Sequence, residues 1–284
     1  MKTLREYIHE AEEKHVAIGH FNISNLEGFH AVVNAAKRLG VPAIIGFSEG
    51  EQKFFGKNEA VALVTELKEK ENLPIFLNAD HHYSFESVKE AIDAGFDSVV
   101  FDGAKLNFEE NILETKKCVA HARSLNSETL VEGELGYIGA GSNIKETIPE
   151  GAGVKTRPED AQKFAQQTGI DLLAPSVGSI HGLIKSGKPH IDGELVSQIR
   201  KSAGVPLVLH GGSGLRDEDF RNAIKSGISI IHISTEIRLT YDEALKKSLA
   251  DNPSETTPYK ILEPAVEAIE EIVEARLKLF NNIK

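Results

Sequence analysis

Short apolar runs rich in β-branched residues recur along the chain at nearly even spacing. Eight of them occupy residues 16–22, 42–48, 74–81, 98–103, 129–136, 171–179, 205–214 and 228–235. Both alternating faces of these runs are apolar, which is typical of parallel strands that are covered on both sides. The pattern therefore predicts eight buried parallel strands.

Segments with helical periodicity lie between the predicted strands. The first repeats apolar residues at i, i+3, i+4 and i+7, at Phe29, Val32, Val33 and Ala36. Glycines stand where helices should end, at Gly40, Gly169, Gly204 and Gly227. No Gly-x-Gly-x-x-Gly turn follows the first strand, so the alternation favours an α/β fold of the (β/α)8 TIM-barrel class over a doubly wound dinucleotide-binding sheet.

The end of the chain predicts an additional C-terminal helix from about residue 258 to 284. Its apolar stripe consists of Leu262, Val266, Ile269 and Val273. We expect this stripe to pack on its own barrel or to form the interface of a homodimer or homotetramer. One barrel of about 250 residues accounts for nearly the whole chain, so we predict a single domain over residues 1–284.

Composition excludes several classes of function. The formal net charge is −11, which argues against nucleic acid as a partner because phosphate contacts require a basic surface. No segment approaches the roughly 18 consecutive apolar residues of a membrane span, and the amino terminus lacks an apolar signal core. We therefore expect a cytoplasmic protein without a membrane partner. Cys118 is the only cysteine, so a metal would be held by His, Asp or Glu.

Polar residues concentrate at one end of the predicted strands. Catalytic groups of such barrels come from the carboxyl ends of the strands, and four of the eleven histidines fall there, namely His81, His181, His210 and His232. A lone histidine at such a position is usually a hydrogen-bonded rim residue, but four at one rim favour a metal site. Three imidazoles with one open position form a typical catalytic zinc site.

Three carboxylates accompany these histidines. Asp80 precedes His81 and would point to the opposite face of an ideal strand, but this alternation breaks down at strand ends. We therefore favour a general acid/base role for Asp80 over a solvated turn residue. Asp102 and Glu134 are candidates either for a second cation site or for outer hydrogen bonds to the ligand histidines.

A phosphate site is predicted after the last two strands. His-Gly-Gly-Ser-Gly at 210–214 follows the seventh strand, and Ser234 and Thr235 close the eighth. A glycine-rich turn alone is more often a tight connection. Its position decides in favour of phosphate, because these two loops are the recurrent phosphate site of TIM barrels.

Taken together, the motifs show a family resemblance. They are GHFNISNLE at 19–27, FSEG at 47–50, ADH at 79–81, FDGA at 101–104, VEGELG at 131–136, SIHG at 179–182, VPLVLHGGSG at 205–214 and STE at 234–236. With them the chain resembles the class II, metal-dependent ketose-bisphosphate aldolases over essentially its full length. The family includes fructose- and tagatose-bisphosphate aldolases.

The resemblance implies an activity. This activity is reversible aldol cleavage of a ketose 1,6-bisphosphate to dihydroxyacetone phosphate and an aldehyde such as glyceraldehyde 3-phosphate, through a zinc-stabilised enediolate. It also implies that His81, His181 and His210 bind one catalytic Zn²⁺ and that Asp80 donates the proton to the aldehyde.

The resemblance extends to the remaining site residues. Asp102 and Glu134 match secondary metal positions, which would allow a second divalent or monovalent cation. The residues that match the cradle for dihydroxyacetone phosphate are Gly182, Gly211, Ser213, Ser234 and Thr235. We expect Gly212 and His232 to bind substrate beside them. Asn22 and Ser48 would line the same mouth.

Two departures from the family pattern lie close to the predicted metal. His82 stands where the family has glycine after the Asp-His pair, and we expect it to add bulk and a fourth imidazole beside the metal. His232 stands where the last strand normally offers an asparagine to the bound substrate fragment.

Two further departures concern proton transfer and the second phosphate. The long, glycine-rich connection 137–156 predicts a mobile lid. In this connection Ser142 replaces the glutamate that the family uses to exchange the substrate's proton. Glu146 or Glu150 takes that role only if the loop is shifted along the sequence relative to the family. Near the last helix, residues 257–260 replace the expected Asp-Pro-Arg, whose arginine binds the phosphate of the aldehyde. Lys260 offers that phosphate a single ammonium group instead of a bidentate guanidinium.

Other functions stay open from sequence. A Schiff-base aldolase requires a lysine on a barrel strand, and none of the eight runs contains one. The same metal cage could serve a hydrolase or isomerase of another phosphorylated sugar. The departures also permit an aldolase for a different phosphorylated or non-bisphosphate ketose, or a metal-binding barrel with weak or no turnover.

Overall fold

A computed structural model describes residues 1–125, 128–139, 141, 143–147, 154–187 and 189–284. Its strands are β1 Ile18–Asn22, β2 Ala43–Phe47, β3 Ile75–His82, β4 Ser98–Phe101, β5 Leu130–Leu135, β6 Ile144–Lys145, β7 Leu172–Pro175, β8 Leu183–Ile184, β9 Leu207–Leu209 and β10 Ile228–Ile233. Eight of them form a closed barrel in the order β1-β10-β9-β7-β5-β4-β3-β2, and the described strand pairs are parallel. The predicted (β/α)8 barrel is confirmed.

The helices surround this barrel. They are α1 Leu4–Lys14, α2 Leu26–Leu39, α3 Glu49–Phe55, α4 Lys57–Glu71, α5 Phe85–Ala94, α6 Phe108–Ser124, α7 Pro158–Thr168, α8 Gly193–Ala203, α9 Asp217–Ser226, α10 Thr235–Asp251 and α11 Pro258–Phe280. The predicted stop at Gly40 is a left-handed residue with φ 65°. None of these helices, within the described residues, is long and apolar enough to cross a membrane.

Helix α1, which the strand pattern did not predict, covers the amino ends of the barrel strands. Leu4, Ile8 and Ala11 lie on one helical face and are buried. They belong to the same apolar cluster as Ile18 and Phe76, near the starts of β1 and β3. Because this end of the barrel is filled, the carboxyl end is where a polar site can open.

Helix α11 packs on α2 and α10 of its own chain. Ile269, Val273 and Leu277 are at most 1% exposed. Arg38 of α2 forms ion pairs with Glu270 and Glu274 along the same contact. The C-terminal stripe is therefore largely covered within the chain, and it no longer argues for an oligomer. This packing is consistent with a single domain.

The described part of the 137–156 connection is tied to the loop that carries His181. Strand β6 pairs with β8 in a separate two-stranded sheet. The Lys145 ammonium donates to the carbonyl oxygens of Gly141 and His181, and Glu146 pairs with Lys185 at 2.7 Å. Residues 142 and 150 lie outside the described residues, so a lid role for this connection stays a prediction.

Candidate active site

Three histidines converge at the carboxyl end of the barrel. His81 lies on β3, His181 follows β7 and His210 follows β9. The ring centre of His81 is 4.8 Å from that of His181 and 4.8 Å from that of His210. Nδ1 of His210 lies 3.1 Å from Nε2 of His81. The structure thus brings together the three imidazoles that the sequence analysis assigned to a metal.

The donor set fits a divalent ion. Nitrogen ligands about 2.0–2.1 Å from a tetrahedral zinc lie roughly 3.3 Å from one another, close to the separation of the His81 and His210 nitrogens. His81 and His210, together with Glu134 and His181, offer ligand atoms that all lie within 4.8 Å of one another. Nε2 of His181 and Oε2 of Glu134 are buried without a hydrogen-bond partner among the described residues. Buried polar atoms of this kind require a partner, and a cation would supply it.

Two of the imidazoles are hydrogen-bonded to carboxylates through the ring nitrogen that faces away from the candidate metal position. Oδ2 of Asp102 lies 2.9 Å from Nδ1 of His81, and Oε1 of Glu132 lies 2.7 Å from Nε2 of His210. Such bonds orient a ligand ring and raise its basicity. Glu132 was not predicted from the sequence. Its spacing of two from Glu134 on one strand, which places both on one face, was the available signal.

The backbone at the end of β3 is irregular. His81 has φ 51°, a left-handed conformation that is costly for a non-glycine residue and recurs at functional sites. The register with β4 shifts between Ala79 and His82. This irregularity interrupts the strand alternation, so that Asp80 and His81 both line the cleft.

The same irregularity corrects the expectation for His82. Its ring is buried, and its Nε2 lies 2.7 Å from the Gln52 amide nitrogen on α3. His82 belongs to none of the candidate metal groups of the described residues. The predicted fourth imidazole beside the metal was therefore wrong, because the chain turns this side chain toward α3.

Burial and neighbouring charges set the electrostatics of the cleft. Burial, together with the carboxylate of Asp102, raises the pKa of Glu134 to about 7. Burial opposes charge on His81, but Asp80 and the other carboxylates outweigh it and raise the pKa of His81 to about 10. Burial favours a neutral Asp80, yet His81 and His232 hold the pKa of this carboxyl well below its ordinary value. Asp80 is therefore an ionised carboxylate.

The predicted phosphate residues form the deep part of the cleft. The cavity there is lined by Asn22, Asp80, His81, His181, Gly182, His210, Gly211, Gly212, Ser213, His232, Ser234 and Thr235. Ser213 Oγ accepts hydrogen bonds from the backbone of Ser234 and Glu236, each at 3.3 Å. Gly211 has φ 67°, and an added Cβ would lie 2.7 Å from the Ile180 carbonyl carbon. Glycine backbone and the start of α10 are features that suit an anion.

The outer part of the cleft has a volume of about 330 Å³. Asn22 and Ser48 line it as predicted. Its lining also contains residues that were not predicted from the sequence: Glu51, Tyr83, Lys105, Tyr137, Asn143 and Arg238. Ser48 Oγ donates to Glu51 at 2.8 Å. Lys260 pairs with Glu255 at 3.3 Å and is not among the described residues that line this cavity.

The fold is a closed α/β barrel, and its carboxyl end brings together three imidazoles, a buried carboxylate and a glycine-lined pocket. These features are those of the metal-dependent TIM-barrel enzymes. The sequence model of the family described as "Fructose-bisphosphate aldolase class-II" matches residues 2–284. The chain belongs to this family, as the sequence motifs predicted.

Individual relatives are similar to this chain over nearly its whole length. A Bacillus subtilis (strain 168) protein named "Probable fructose-bisphosphate aldolase" is 39% identical, over 99% of this chain and 97% of the relative. The fructose-bisphosphate aldolase of Geobacillus stearothermophilus is 37% identical, over 99% and 96%. The crystal structure of the YdjI aldolase from Escherichia coli K12 is similar with a TM-score of 0.82 and 31% identity, over 98% of this chain and 96% of that one.

Proposed function

We propose that the protein catalyses reversible aldol cleavage of a ketose 1,6-bisphosphate of the fructose or tagatose type. The products would be dihydroxyacetone phosphate and an aldehyde such as glyceraldehyde 3-phosphate. The observation that carries this proposal is the convergence of His81, His181 and His210 with Asp80 on one cleft, next to the glycine-lined pocket. The names of the relatives at 37–39% identity point to the same reaction.

We assign His81, His181 and His210 as ligands of one Zn²⁺. When bound, the ion would act as a Lewis acid toward the substrate ketone. Glu134, whose Oε2 is unpartnered, lies in the same candidate metal group as the three histidines, and it would either complete that group or bind a second divalent or monovalent cation beside it. Asp102 is hydrogen-bonded to His81, which supports a role as an outer partner over a role as a ligand.

Asp80 would carry the aldehyde-side proton. In the cleavage direction the proton of the C4 hydroxyl moves to the Asp80 carboxylate, the C3–C4 bond breaks, and its electron pair passes to the three-carbon fragment. Asn22 donates to Oδ2 of Asp80 at 2.9 Å and so fixes the carboxylate. The glycine-lined pocket, with Gly182, Gly211, Gly212, Ser213, His232, Ser234 and Thr235, would hold the phosphate of that fragment.

A ketose 1-phosphate without the second phosphate is the second candidate substrate. Ser48, which lines the outer cleft, donates its hydroxyl to the Glu51 carboxylate. A carboxylate at this place disfavours a neighbouring phosphate, and Lys260 lies in an ion pair elsewhere. Lys105 and Arg238, which also line the outer cleft, favour the bisphosphate instead. A substrate comparison therefore has to decide between the two.

The test is a coupled assay of triose phosphate release from fructose 1,6-bisphosphate, tagatose 1,6-bisphosphate and fructose 1-phosphate. Metal analysis of the same protein should give about one zinc per chain, and a chelator should abolish cleavage. Less than about 0.5 ion per chain after reconstitution, or cleavage that resists the chelator, would contradict the proposal. Faster cleavage of fructose 1-phosphate would select the second candidate. Metal binding without triose phosphate release would indicate a barrel without this activity.

The location and assembly of the protein stay predictions. We expect a cytoplasmic homodimer or homotetramer with neither nucleic acid nor membrane as a partner. Cell fractionation measures the first, and light scattering coupled to size-exclusion chromatography measures the second.

A further inference from the structure

Two histidines stack inside the barrel below the cleft. His20 on β1 and His232 on β10 are register partners of neighbouring strands. Their ring centres are 3.4 Å apart and their planes differ by 2°. His20 is fully buried and does not line either part of the described cleft. It therefore does not contact a substrate directly, and its ring contact with the cleft is with His232.

The orientation of the His20 ring is fixed on its other sides. Its Nε2 lies 3.2 Å from Oδ1 of Asn78, whose amide in turn donates to Ser98 Oγ at 2.7 Å. Gly46 lies against the ring, and a Cβ added at Gly46 would overlap it. The ring is thus held between Gly46 and His232, with its edge bonded to Asn78.

His232 connects this stack to Asp80. Nδ1 of His232 lies 3.4 Å from Oδ1 of Asp80, while Asn22 donates to the other carboxylate oxygen at 2.9 Å. Both side chains of the His232–Asp80 pair are nearly inaccessible, with 5% and 6% exposed. One oxygen of Asp80 therefore accepts a hydrogen bond from an amide, and an imidazole nitrogen faces the other oxygen without forming a hydrogen bond.

The stack does not form a second metal site. His20, His232 and Asp80 offer unpartnered buried atoms that lie within 4.8 Å of one another. A metal bond lies in the plane of its imidazole, however, and two parallel rings 3.4 Å apart direct their nitrogen lone pairs along parallel planes that do not meet at one ion. The geometry suits a role in orientation.

We propose that His20 is a positioning residue that keeps His232 in the plane from which it orients the Asp80 carboxylate for aldehyde-side proton transfer. This inference rests on the proposed function. Because Asp80 exchanges its proton with the C4 hydroxyl only, the stack should matter for cleavage of the C3–C4 bond. Exchange of the C3 proton of dihydroxyacetone phosphate with solvent does not use Asp80, so it should depend less on the stack, through the pocket that His232 lines.

The test compares these two rates in zinc-reconstituted protein. His20→Gln keeps a donor for Asn78 but removes the ring, and His20→Phe returns a flat ring without nitrogen. Gly46→Ala displaces the His20 ring from the opposite side, and it serves if His20→Gln does not fold. Ser229→Ala is the matched control, since Ser229 is buried on the same strand β10 as His232.

We expect His20→Gln and Gly46→Ala to lower kcat for cleavage on the order of 10-fold or more, as misorientation of a catalytic group does. Cleavage should fall at least about 5-fold more than solvent deuterium incorporation into dihydroxyacetone phosphate, because only cleavage uses Asp80, whereas both use the pocket that His232 lines. Zinc content is measured in each variant, since the His232 ring centre lies 4.1 Å from that of His210, and it should not change. His20→Phe should recover part of the cleavage rate, and Ser229→Ala should resemble the wild type.

Equal losses of cleavage and exchange, or no loss of either, would overturn the positioning role. The same holds if His20→Phe cleaves no faster than His20→Gln. A wild-type protein that neither cleaves nor exchanges would instead overturn the proposed function, because any aldolase that releases dihydroxyacetone phosphate must also protonate its C3 carbon. The two failures are thus distinguishable.

Discussion

Oε1 of Glu132 lies 2.7 Å from Nε2 of His210, and both side chains are at most 1% exposed. A carboxylate at this distance accepts the proton of Nε2, which leaves the lone pair of Nδ1 directed toward His81. Glu132 therefore selects the ring nitrogen that His210 presents to the candidate metal site.

This relationship predicts the effect of Glu132→Gln. The glutamine amide can donate to Nε2 and favour the wrong tautomer, so we expect zinc affinity to fall about 10- to 100-fold. Competition with a chromophoric chelator measures this affinity. Glu109→Gln, which changes an exposed glutamate paired with Lys163, is the control and should not alter it. Wild-type affinity in Glu132→Gln would show that the bond does not orient the ligand.

Asp80→Asn should separate metal binding from catalysis. The amide cannot take up the proton of the C4 hydroxyl, so we expect kcat for cleavage to fall by about 10²- to 10⁴-fold. Zinc content should stay at the wild-type level, because His81, His181 and His210 are intact. In contrast, His181→Ala should lose zinc. Cleavage by Asp80→Asn within a few-fold of the wild type would remove Asp80 from the mechanism.

The main features of the fold and site were predictable because they depend on local sequence. Each barrel strand is an apolar run, and His81 and His210 end or follow such runs directly. The rule that functional groups gather at the carboxyl ends of barrel strands then placed them together. His181 was found in the same way, in the loop that follows β7.

The features that escaped prediction depend on long-range pairing or on one backbone angle. Glu132 lies inside an apolar run, and only the fold shows that His210, 78 residues away, covers it. His82 was misplaced because the φ of 51° at His81 cannot be derived from residue type. Closure of the predicted barrel makes β1 and β10 neighbours, but the stacking of His20 on His232 also requires these two residues to be register partners, which residue type does not determine.

Gly211→Ala should impair substrate binding through the glycine-lined pocket. The position combines φ 67° with a close approach to the Ile180 backbone, so an alanine both strains the turn and displaces the pocket wall. We expect KM for the phosphorylated substrate to rise about 10-fold or more. Steady-state kinetics measure this change.

Gly40→Ala is the matched control for Gly211→Ala. Gly40 has a similar φ of 65°, but nothing lies within 4 Å of its added Cβ. It should therefore lower thermal stability through backbone strain alone and leave KM unchanged. Equal KM values in both variants and the wild type would show that the Gly211 wall does not contact substrate.

Cys118 predicts a pH dependence of stability that is independent of the active site. The side chain is fully buried on α6, and burial raises the pKa of this thiol to about 12. The same thiol ionises near a pKa of about 8.5 when exposed in the unfolded chain. Above that pH the unfolded state releases a proton that the native state retains, so the free energy of unfolding falls as pH rises.

The measurement is urea unfolding of the wild type and Cys118→Ala at pH 7.5 and 9.5. The alanine variant lacks the thiol, so the wild type should lose more stability than the variant between these two pH values. At pH 8 a thiol reagent should label the native protein far more slowly than the unfolded chain, since only an accessible thiolate reacts. Equal pH dependence in both proteins, together with rapid native labelling, would mean that the thiol is accessible and ionises normally in the folded state.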